Sequence, residues 1–294
     1  MAAAAAATAL AVPGVAVANQ GQPAVTRDSS GCPVFNSFPG LGEADTYALT
    51  SDGRLISFHR DRPALQRSSA VVTGVTGTIA GIDVRPATGA LYALAVEGST
   101  GRLYTIDPGT GAASLASTLD KAVSGSAFGV DFNPVPDRLR VVSDAGQNLR
   151  INVDTGATLL DGALTYAGSG GAVAAGVSAA AYTNSAPPSP RTVGPNVPAT
   201  GTTLYDIDTN LDVLVVQSPP NDGVLNPVGP LGFDVSSVNG FDIDAATGNS
   251  ALAAVQISNA RPSLLAEIDL STGRARLRGA IGCAATVTGL AFKG

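Results

Sequence analysis

The sequence predicts an all-β fold, a five-bladed β-propeller of four-stranded antiparallel blades. A strand-rich motif recurs at a spacing of about 50 residues, and each copy reads as four short strands. The two ends of the chain carry complementary parts of one further copy. A four-stranded repeat of this length is typical of propeller blades and not of solenoid rungs or immunoglobulin-like sandwiches.

Each copy opens with a strand that contains a glycine. Residues 79–86, 128–134 and 239–244 are such openings, and each is followed by further short runs rich in Val, Ile, Leu and Tyr. The openings are marked by Gly81, Gly129, Gly240 and Gly289, with Ala179 in this position of a divergent fourth copy. The repeat therefore predicts which strand begins each blade.

The turns between these strands share one pattern. Asp107 precedes Gly111 in one turn, and Asp269 precedes Gly273 in another. Because an aspartate can bond its own turn backbone and a glycine can adopt a positive φ, this pattern predicts short hairpin loops. The body of the chain is therefore read as antiparallel meanders.

The chain ends predict how the ring closes. Residues 288–292 have the form of a first strand with nothing after it, whereas residues 46–49 and 54–58 have the form of second and third strands with no first. Pairing the C-terminal strand with the N-terminal strands completes one blade and removes two free sheet edges.

The sequence divides into three parts. Residues 1–18 resemble a secretory signal peptide, because an apolar stretch ends in Ala16-Val17-Ala18; a disordered Ala-rich N-terminus is the alternative. No Lys or Arg precedes Arg27, so we expect the true start to lie upstream. Residues 19–40 form a lead-in, and 41–294 form the propeller, with a loop at 185–201 that carries five prolines.

Two cysteines lie near the ends of the mature chain. In an exported protein, Cys32 and Cys283 are expected to form a disulfide near the closing seam, the alternative being two separate buried thiols. The signal-like segment and the cysteine pair together predict a secreted or extracytoplasmic location.

Composition excludes several partners. The net charge is −6, with no basic cluster to offset it, which argues against nucleic acid. No apolar run of about 18 residues lies in the body of the chain, so no membrane span is expected there. With no Trp and 5% aromatic residues, an aromatic platform for sugars is disfavoured.

Several segments resemble one family. Residues 81–94, 131–143, 146–150 and 179–184 resemble bacterial secreted proteins grouped as domain of unknown function 4394, and the resemblance covers about residues 40 to 293. It implies export and a repeated β architecture. It implies no activity, and no catalytic residue is transferred from it.

Three aspartates occupy one position in three first strands. Asp83, Asp131 and Asp242 could converge at the axis on a cation such as calcium, since carboxylate oxygens are its preferred ligands. Alternatively, each accepts hydrogen bonds from the neighbouring blade or pairs with an arginine. Ala181 and Ala291 fill the position in the other two copies, which favours the structural alternative.

Three arginines cluster in the third copy. Arg138, Arg140 and Arg150 are expected on one hairpin, with Arg140 directly opposite Arg150. Like charges in this arrangement are destabilising unless a counter-charge is present. Either Asp131 or Asp137 could supply it, or a bound anion could, which makes the three arginines a candidate anion site.

The sequence favours a non-enzymatic binding or scaffold module with no cofactor. The lone histidine, His59, occupies a turn position, so paired-His zinc motifs are excluded and a Ser-His-Asp triad is disfavoured. We expect a small ligand or an envelope or extracellular partner. The alternative is a metal-dependent hydrolase or lactonase-type enzyme that uses the first-strand carboxylates.

Overall fold

A computed structural model describes residues 25–36, 42–185, 201–257, 262–283 and 286–293. The signal-like segment 1–18 and nearly all of the Pro-rich loop at 185–201 lie outside these ranges. Apart from two single-turn 3₁₀ helices, Pro220–Asp222 and Ala245–Thr247, the regular structure described is β. Five antiparallel meanders are arranged in a ring, which confirms the predicted five-bladed β-propeller.

The strands are numbered in chain order and grouped by blade. A two-stranded hairpin precedes the ring: β1 (Val25–Arg27) and β2 (Pro33–Phe35). Blade 1 contains β3 (Thr46–Thr50), β4 (Arg54–Phe58) and β5 (Ser68–Val71). Blade 2 contains β6 (Thr78–Val84), β7 (Leu91–Glu97), β8 (Thr100–Ile106) and β9 (Ala113–Thr118). Blade 3 contains β10 (Phe128–Asn133), β11 (Arg138–Ser143), β12 (Asn148–Ile151) and β13 (Thr158–Leu160).

The last two blades complete the ring. Blade 4 contains β14 (Thr165–Tyr166), β15 (Val177–Tyr182), β16 (Leu204–Asp208), β17 (Val213–Gln217) and β18 (Val224–Pro230). Its meander keeps all four strands, β15 to β18, and the short β14 adds parallel to β18 at the outer edge. Blade 5 contains β19 (Ser237–Asp244), β20 (Ser250–Gln256), β21 (Leu264–Ile268) and β22 (Ala275–Ala280). The final strand is β23 (Val287–Phe292).

The C-terminal strand closes the ring as the chain ends predicted. β23 pairs antiparallel with β3 and becomes the innermost strand of blade 1, with Leu290 opposite Ala48 and Ala291 opposite Tyr47. The innermost strands then contact one another around the axis in the order β23, β6, β10, β15, β19 and back to β23.

The opening glycines allow the innermost strands to pack closely. A Cβ on Gly129 would lie 2.5 Å from the backbone nitrogen of Ala180 in the next blade. A Cβ on Gly81 would lie 2.6 Å from Val130 Cγ2. Contacts this short do not occur between real side chains, so only glycine permits the backbone approach at these positions.

The core is divided among the blade interfaces. Five hydrophobic clusters of the described residues lie one between each adjacent pair of blades. Between blades 2 and 3, for example, Tyr92 packs edge-on against Phe132, with ring centroids 5.4 Å apart. Each blade therefore buries both of its faces against its neighbours, which explains why β11, β15 and β20 are buried along nearly their whole length.

A disulfide connects the hairpin before the ring to the closing seam. Cys32 and Cys283 are bonded, with their Cα atoms 5.9 Å apart and a sequence separation of 251. The Asp28 carboxylate of the hairpin accepts hydrogen bonds from Gln66 and Ser69 of blade 1. Closing so long a loop stabilises the fold by several kcal/mol, up to ~5, in the chain-entropy account.

No helix in the described ranges has the length and apolar character needed to cross a membrane.

Candidate functional site

The three first-strand aspartates meet at the propeller axis. One carboxylate oxygen each of Asp83, Asp131 and Asp242 lie within 4.8 Å of one another, and all three side chains are buried. Ala181 of blade 4 and Ala291 of blade 1 occupy the same position on their innermost strands. The repeat register therefore brings the predicted residues together.

Each carboxylate bonds the next blade around the ring. Asp83 accepts a hydrogen bond of 2.7 Å from the backbone N–H of Phe132. Asp131 accepts one of 2.6 Å from Tyr182 N–H, and Asp242 accepts one of 2.6 Å from Phe292 N–H. In every case the donor is one residue beyond the equivalent position of the next blade: Phe132 follows Asp131, Tyr182 follows Ala181 and Phe292 follows Ala291.

The two alanines explain the remaining hydrogen bonds. Where the preceding blade has Ala291 or Ala181, no carboxylate reaches across to Val84 N–H or Ile243 N–H. Asp83 therefore accepts from Val84 N–H through its second oxygen, at 2.7 Å. Asp242 accepts from Ile243 N–H in the same way, at 2.6 Å. Three carboxylates thus satisfy all five N–H groups that follow this position, as buried backbone donors require.

One of the six carboxylate oxygens is left for a different partner. Oδ1 of Asp131 accepts no backbone N–H among the described residues, and the Asp131 carboxyl hydrogen-bonds that of Asp83. Burial raises the pKa of both Asp83 and Asp131 well above the usual range, and the nearby carboxylates raise them further. We therefore expect the pair to share one proton, for which Asp131 Oδ1 is the available site.

The axial aspartates border a small pocket on one face of the propeller. Its volume is about 50 Å³, and Asp83, Asp242, Asp244, Ser185 and Lys293 contribute to its lining. The Lys293 ammonium lies 4.7 Å from the ring centroid of Tyr47. Burial lowers the pKa of Lys293, while burial raises that of Asp242 to about 6. This pocket has room for water or one ion.

The arginines of blade 3 form an internal ion-pair network. Arg140 lies directly opposite Arg150, as predicted. The Asp161 carboxylate accepts from Arg140 Nη1 at 2.8 Å and from Arg150 Nη2 at 3.0 Å. The Arg140 side chain is only 2% exposed and also donates to three neutral acceptors: Tyr182 Oη, Asn148 Oδ1 and Asn221 Oδ1.

The counter-charge for the arginine pair was predicted wrongly. Asp161 supplies it, whereas Asp131 bonds Tyr182 N–H and Asp137 pairs with Arg85 at 2.5 Å. Within the part of the chain that the structure describes, Arg138 donates only to carbonyl oxygens of its own loop. Sequence reasoning missed Asp161, because this residue lies beyond the hairpin and reaches the arginines from the outer end of the blade. Anion binding by the three arginines stays a prediction.

Ion pairs also connect other blades. Arg60 of blade 1 bonds Asp244 of blade 5 at 2.6 Å. Arg85 of blade 2 bonds Asp137 and Asp154 of blade 3. The lone histidine, His59, lies in a turn, where its Nδ1 accepts from Asp61 N–H. Sequence reasoning missed these arginines, because each reaches a partner in a different repeat.

A larger groove lies on the opposite face, where the innermost strands begin. Two adjoining pockets of about 440 and 310 Å³ share the wall formed by Thr78, Ile79 and Thr288. Among the described residues that line the two pockets, none carries a charge and Phe128 is the only aromatic residue. Hydroxyl groups of Ser51, Thr78 and Thr288 are interspersed with aliphatic side chains and glycine. This groove fits an uncharged molecule with apolar and hydrogen-bonding groups.

The fold and the axial network define a closed five-bladed propeller whose innermost strands are joined by buried carboxylates. Residues 54–291 match the family described as "Domain of unknown function (DUF4394)". The chain belongs to this family. No curated protein is significantly similar to it.

Solved structures resemble the chain in fold alone. A protein of unknown function from Bacteroides thetaiotaomicron is 16% identical, with a TM-score of 0.50, and the match covers 86% of this chain and 64% of that one. An auxiliary nutrient binding protein from Bacteroides ovatus is 14% identical, with a TM-score of 0.44, covering 81% and 57%. The chain therefore spans less than two thirds of the length of either structure.

Proposed function

We propose that this propeller is an exported, non-enzymatic binding module that holds a small uncharged ligand in the groove between blades 1, 2 and 3. The observation that carries the proposal is the neutral lining of the groove, at about 440 Å³ in its larger part. Pockets that bind small molecules are typically a few hundred Å³ in volume, mostly apolar, and equipped with a small number of polar groups.

The groove is held by rigid neighbours. Thr50 is buried and hydrogen-bonds Asp52 and Arg54, and Thr76 N–H donates to Tyr104 Oη. Gly74 and Gly77 adopt positive φ angles, and a Cβ on either would lie within 3 Å of a backbone carbonyl oxygen. A preformed site of this kind lowers the ordering cost of binding.

A tryptophan reporter tests the proposal, because the chain has no tryptophan of its own. We expect the emission of a Thr78→Trp variant to respond to N-acetyl amino-acid amides or neutral disaccharides, and not to citrate or putrescine. Charged probes lose their hydration against described lining residues that are themselves uncharged. Leu115→Trp, at an exposed site on β9, is the matched control and should respond to none of them. A response to citrate alone, or equal responses from both variants, would contradict the neutral groove.

Export is supported by the disulfide. Bonds between cysteines persist in oxidising compartments and are rare in the cytosol. Cys32 and Cys283 are bonded at the closing seam, where the pair stabilises the ring. We therefore place the protein at the cell envelope or outside the cell, with residues 1–18 acting as the export signal and residues 41–294 as the binding domain.

A metal-dependent hydrolase or lactonase-type enzyme is the second candidate. It is favoured by the convergence of three carboxylate oxygens within 4.8 Å, the donor set that calcium prefers. Against it, five of the six oxygens already accept backbone N–H groups, and a cation would compete with those bonds for the same lone pairs.

Elemental analysis distinguishes the two candidates. We expect purified protein to contain no stoichiometric divalent metal and to melt at the same temperature with EDTA as with excess calcium chloride. The reason is that the axial carboxylates are satisfied by the backbone and by a shared proton. One tightly held ion per chain, together with a melting temperature lowered by EDTA, would support the enzyme instead.

A further inference from the structure

A buried carboxylate without a hydrogen-bond partner lies between blades 3 and 4. Asp206 of β16 is 0% exposed, and neither of its oxygens has a partner among the described residues. Its neighbours across the sheet are Ala180 of β15 and Val215 of β17, neither of which has a side-chain donor. An ionised carboxylate in this setting is strongly destabilising, because its buried charge is uncompensated.

Asp206 lies on the face of blade 4 that packs against blade 3. Ala180, Val215 and Tyr182 share this face, and they pack in one cluster with Val142 of blade 3. Strand alternation places Asp206 on the same side as these residues, because its partners in register are Ala180 and Val215. Its carboxyl group is therefore enclosed at the interface.

A second buried acceptor without a partner among the described residues lies on the same face of blade 4. Gln217 Oε1 is buried and has no hydrogen bond, and Gln217 is placed diagonally from Asp206, two residues beyond Val215 on the adjacent strand. Long side chains bridge this diagonal spacing in antiparallel sheets. The orientation of the amide is fixed, because Gln217 Nε2 donates to Pro220 O at 2.5 Å, and the reverse orientation would set two acceptor oxygens against each other.

The charges around Asp206 do not balance when every carboxyl group is ionised. Blade 3 presents the guanidinium groups of Arg140 and Arg150 and the carboxyl groups of Asp161 and Asp131 to this interface. Asp131 adds no charge to this sum, because we expect it to hold the proton that it shares with Asp83. Blade 4 presents the carboxylates of Asp206 and Asp208, with the neutral phenols of Tyr182 and Tyr166. Asp208 accepts hydrogen bonds from Tyr166 Oη and from two backbone N–H groups, which stabilise its negative charge. The carboxylate that lacks compensation is therefore that of Asp206.

We propose that Asp206 binds a proton as part of the native fold, so that the interface between blades 3 and 4 is a proton-binding joint that weakens at alkaline pH. One proton resolves both defects. It neutralises the carboxylate that has no partner, and it supplies the O–H donor that Gln217 Oε1 can accept. Burial raises the pKa of Asp206 to about 8, against the smaller opposing effect of Arg140.

The sign of the pH dependence follows from the raised pKa. Between the ordinary aspartate pKa of about 3.9 and a native value near 8, the native protein keeps this proton whereas the unfolded chain has released it. Stability from Asp206 is therefore greatest in acid, declines as the pH rises, and levels off once the native carboxyl group has ionised.

The test compares urea unfolding of the wild type with that of Asp206→Asn from pH 5 to 9. We expect the unfolding constant of the wild type, relative to the variant, to rise about tenfold per pH unit and to level near pH 8. Asp107→Asn is the control: backbone N–H groups of Gly109 and Thr110 lower the Asp107 pKa, so this group is ionised in both states and its curve should run parallel to the wild type.

Two outcomes would overturn the proposal. One is a curve for Asp206→Asn that runs parallel to the wild type throughout the range. The other is a wild type that is more stable in sodium chloride than in choline chloride, with no such difference in Asp206→Asn. That result would mean that a metal cation, and not a proton, compensates the charge of Asp206. Should Asp206→Asn not fold, the protonation of Asp206 can be followed by the infrared carbonyl band of a protonated carboxyl group. The measurement uses Asp131→Asn, because this substitution removes the proton shared by Asp83 and Asp131. The band should be present at pH 7, where Asp242 with its pKa of about 6 is mostly ionised, and lost above pH 8. Its absence at pH 7 would equally reject the proton.

Discussion

Replacing Arg140 with alanine is expected to lower the free energy of unfolding by about 3–5 kcal/mol, the cost of breaking a buried ion pair from one side. The Arg140 guanidinium is almost fully enclosed and donates to acceptors in both blade 3 and blade 4. Without it, Asn148 and Asn221 each lose a charged donor inside the protein. Urea unfolding followed by circular dichroism measures the change.

Arg138→Ala is the matched control for Arg140→Ala. Arg138 lies on the same strand and donates only to carbonyl oxygens of its own loop, so its removal should change stability by no more than ~0.5 kcal/mol. Melting with and without phosphate tests anion binding by the same arginines. If Asp161 alone compensates the charges of Arg140 and Arg150, the arginines bind no phosphate. Any change that phosphate makes to the melting temperature should then be the same for the wild type and for Arg138→Ala. A phosphate effect that disappears with Arg138→Ala would restore the anion site.

The fold was predictable because the propeller repeats a local pattern. Strand order, hairpin turns and the Arg140–Arg150 register depend on neighbours within one repeat, and all of them follow from spacing and turn chemistry. Ring closure followed from the incomplete copies at the two ends, since β23 could pair only with a blade that had no first strand. Convergence of Asp83, Asp131 and Asp242 followed from their common position in the repeat.

Contacts between repeats were not predictable in the same way. The partners Arg60–Asp244, Arg85–Asp137 and Arg140–Asn221 lie in different blades, and no spacing rule relates them. The burial of Asp206 also escaped notice, because its strand reads as an ordinary polar–apolar alternation. Alternation predicts one solvated face, whereas a propeller blade buries both. Polar residues on the second face therefore become buried groups that need partners.

Such buried groups explain why the axis carries three aspartates and not five. A carboxylate has two acceptor oxygens, so an aspartate beside an alanine-bearing blade can bond the N–H of its own strand and that of the next blade. Asp83 and Asp242 each do both, and their preceding blades are the two with alanine. The blade before Asp131 carries Asp83, which already bonds the N–H that follows Asp131. The second oxygen of Asp131 is therefore left over, and we expect it to share a proton with Asp83. The pattern satisfies the backbone donors around the axis, and cation binding by the three aspartates stays a prediction.

Asparagine substitutions should therefore differ sharply among the three axial aspartates. Asp131→Asn keeps an oxygen for Tyr182 N–H and places an amide donor where the shared proton lies, so we expect stability within ~1 kcal/mol of the wild type at pH 6. Asp83→Asn and Asp242→Asn replace an accepting oxygen with an N–H₂ group facing a backbone donor. Each leaves a buried N–H without a partner, which should cost about 1–3 kcal/mol.

The pH dependence of the same variants separates the proton from a metal. Because the native pKa of the Asp83–Asp131 pair is raised, its contribution to stability is greatest in acid and is lost as the pH rises through that native value. Asp131→Asn has no proton to release there, so it should become more stable than the wild type at pH 8 to 9, as measured by urea unfolding. A cation held by three carboxylates would behave differently, since Asp131→Asn would then remove a ligand and destabilise the protein as much as Asp83→Asn does. Equal losses from these two substitutions would identify the axis as a metal site.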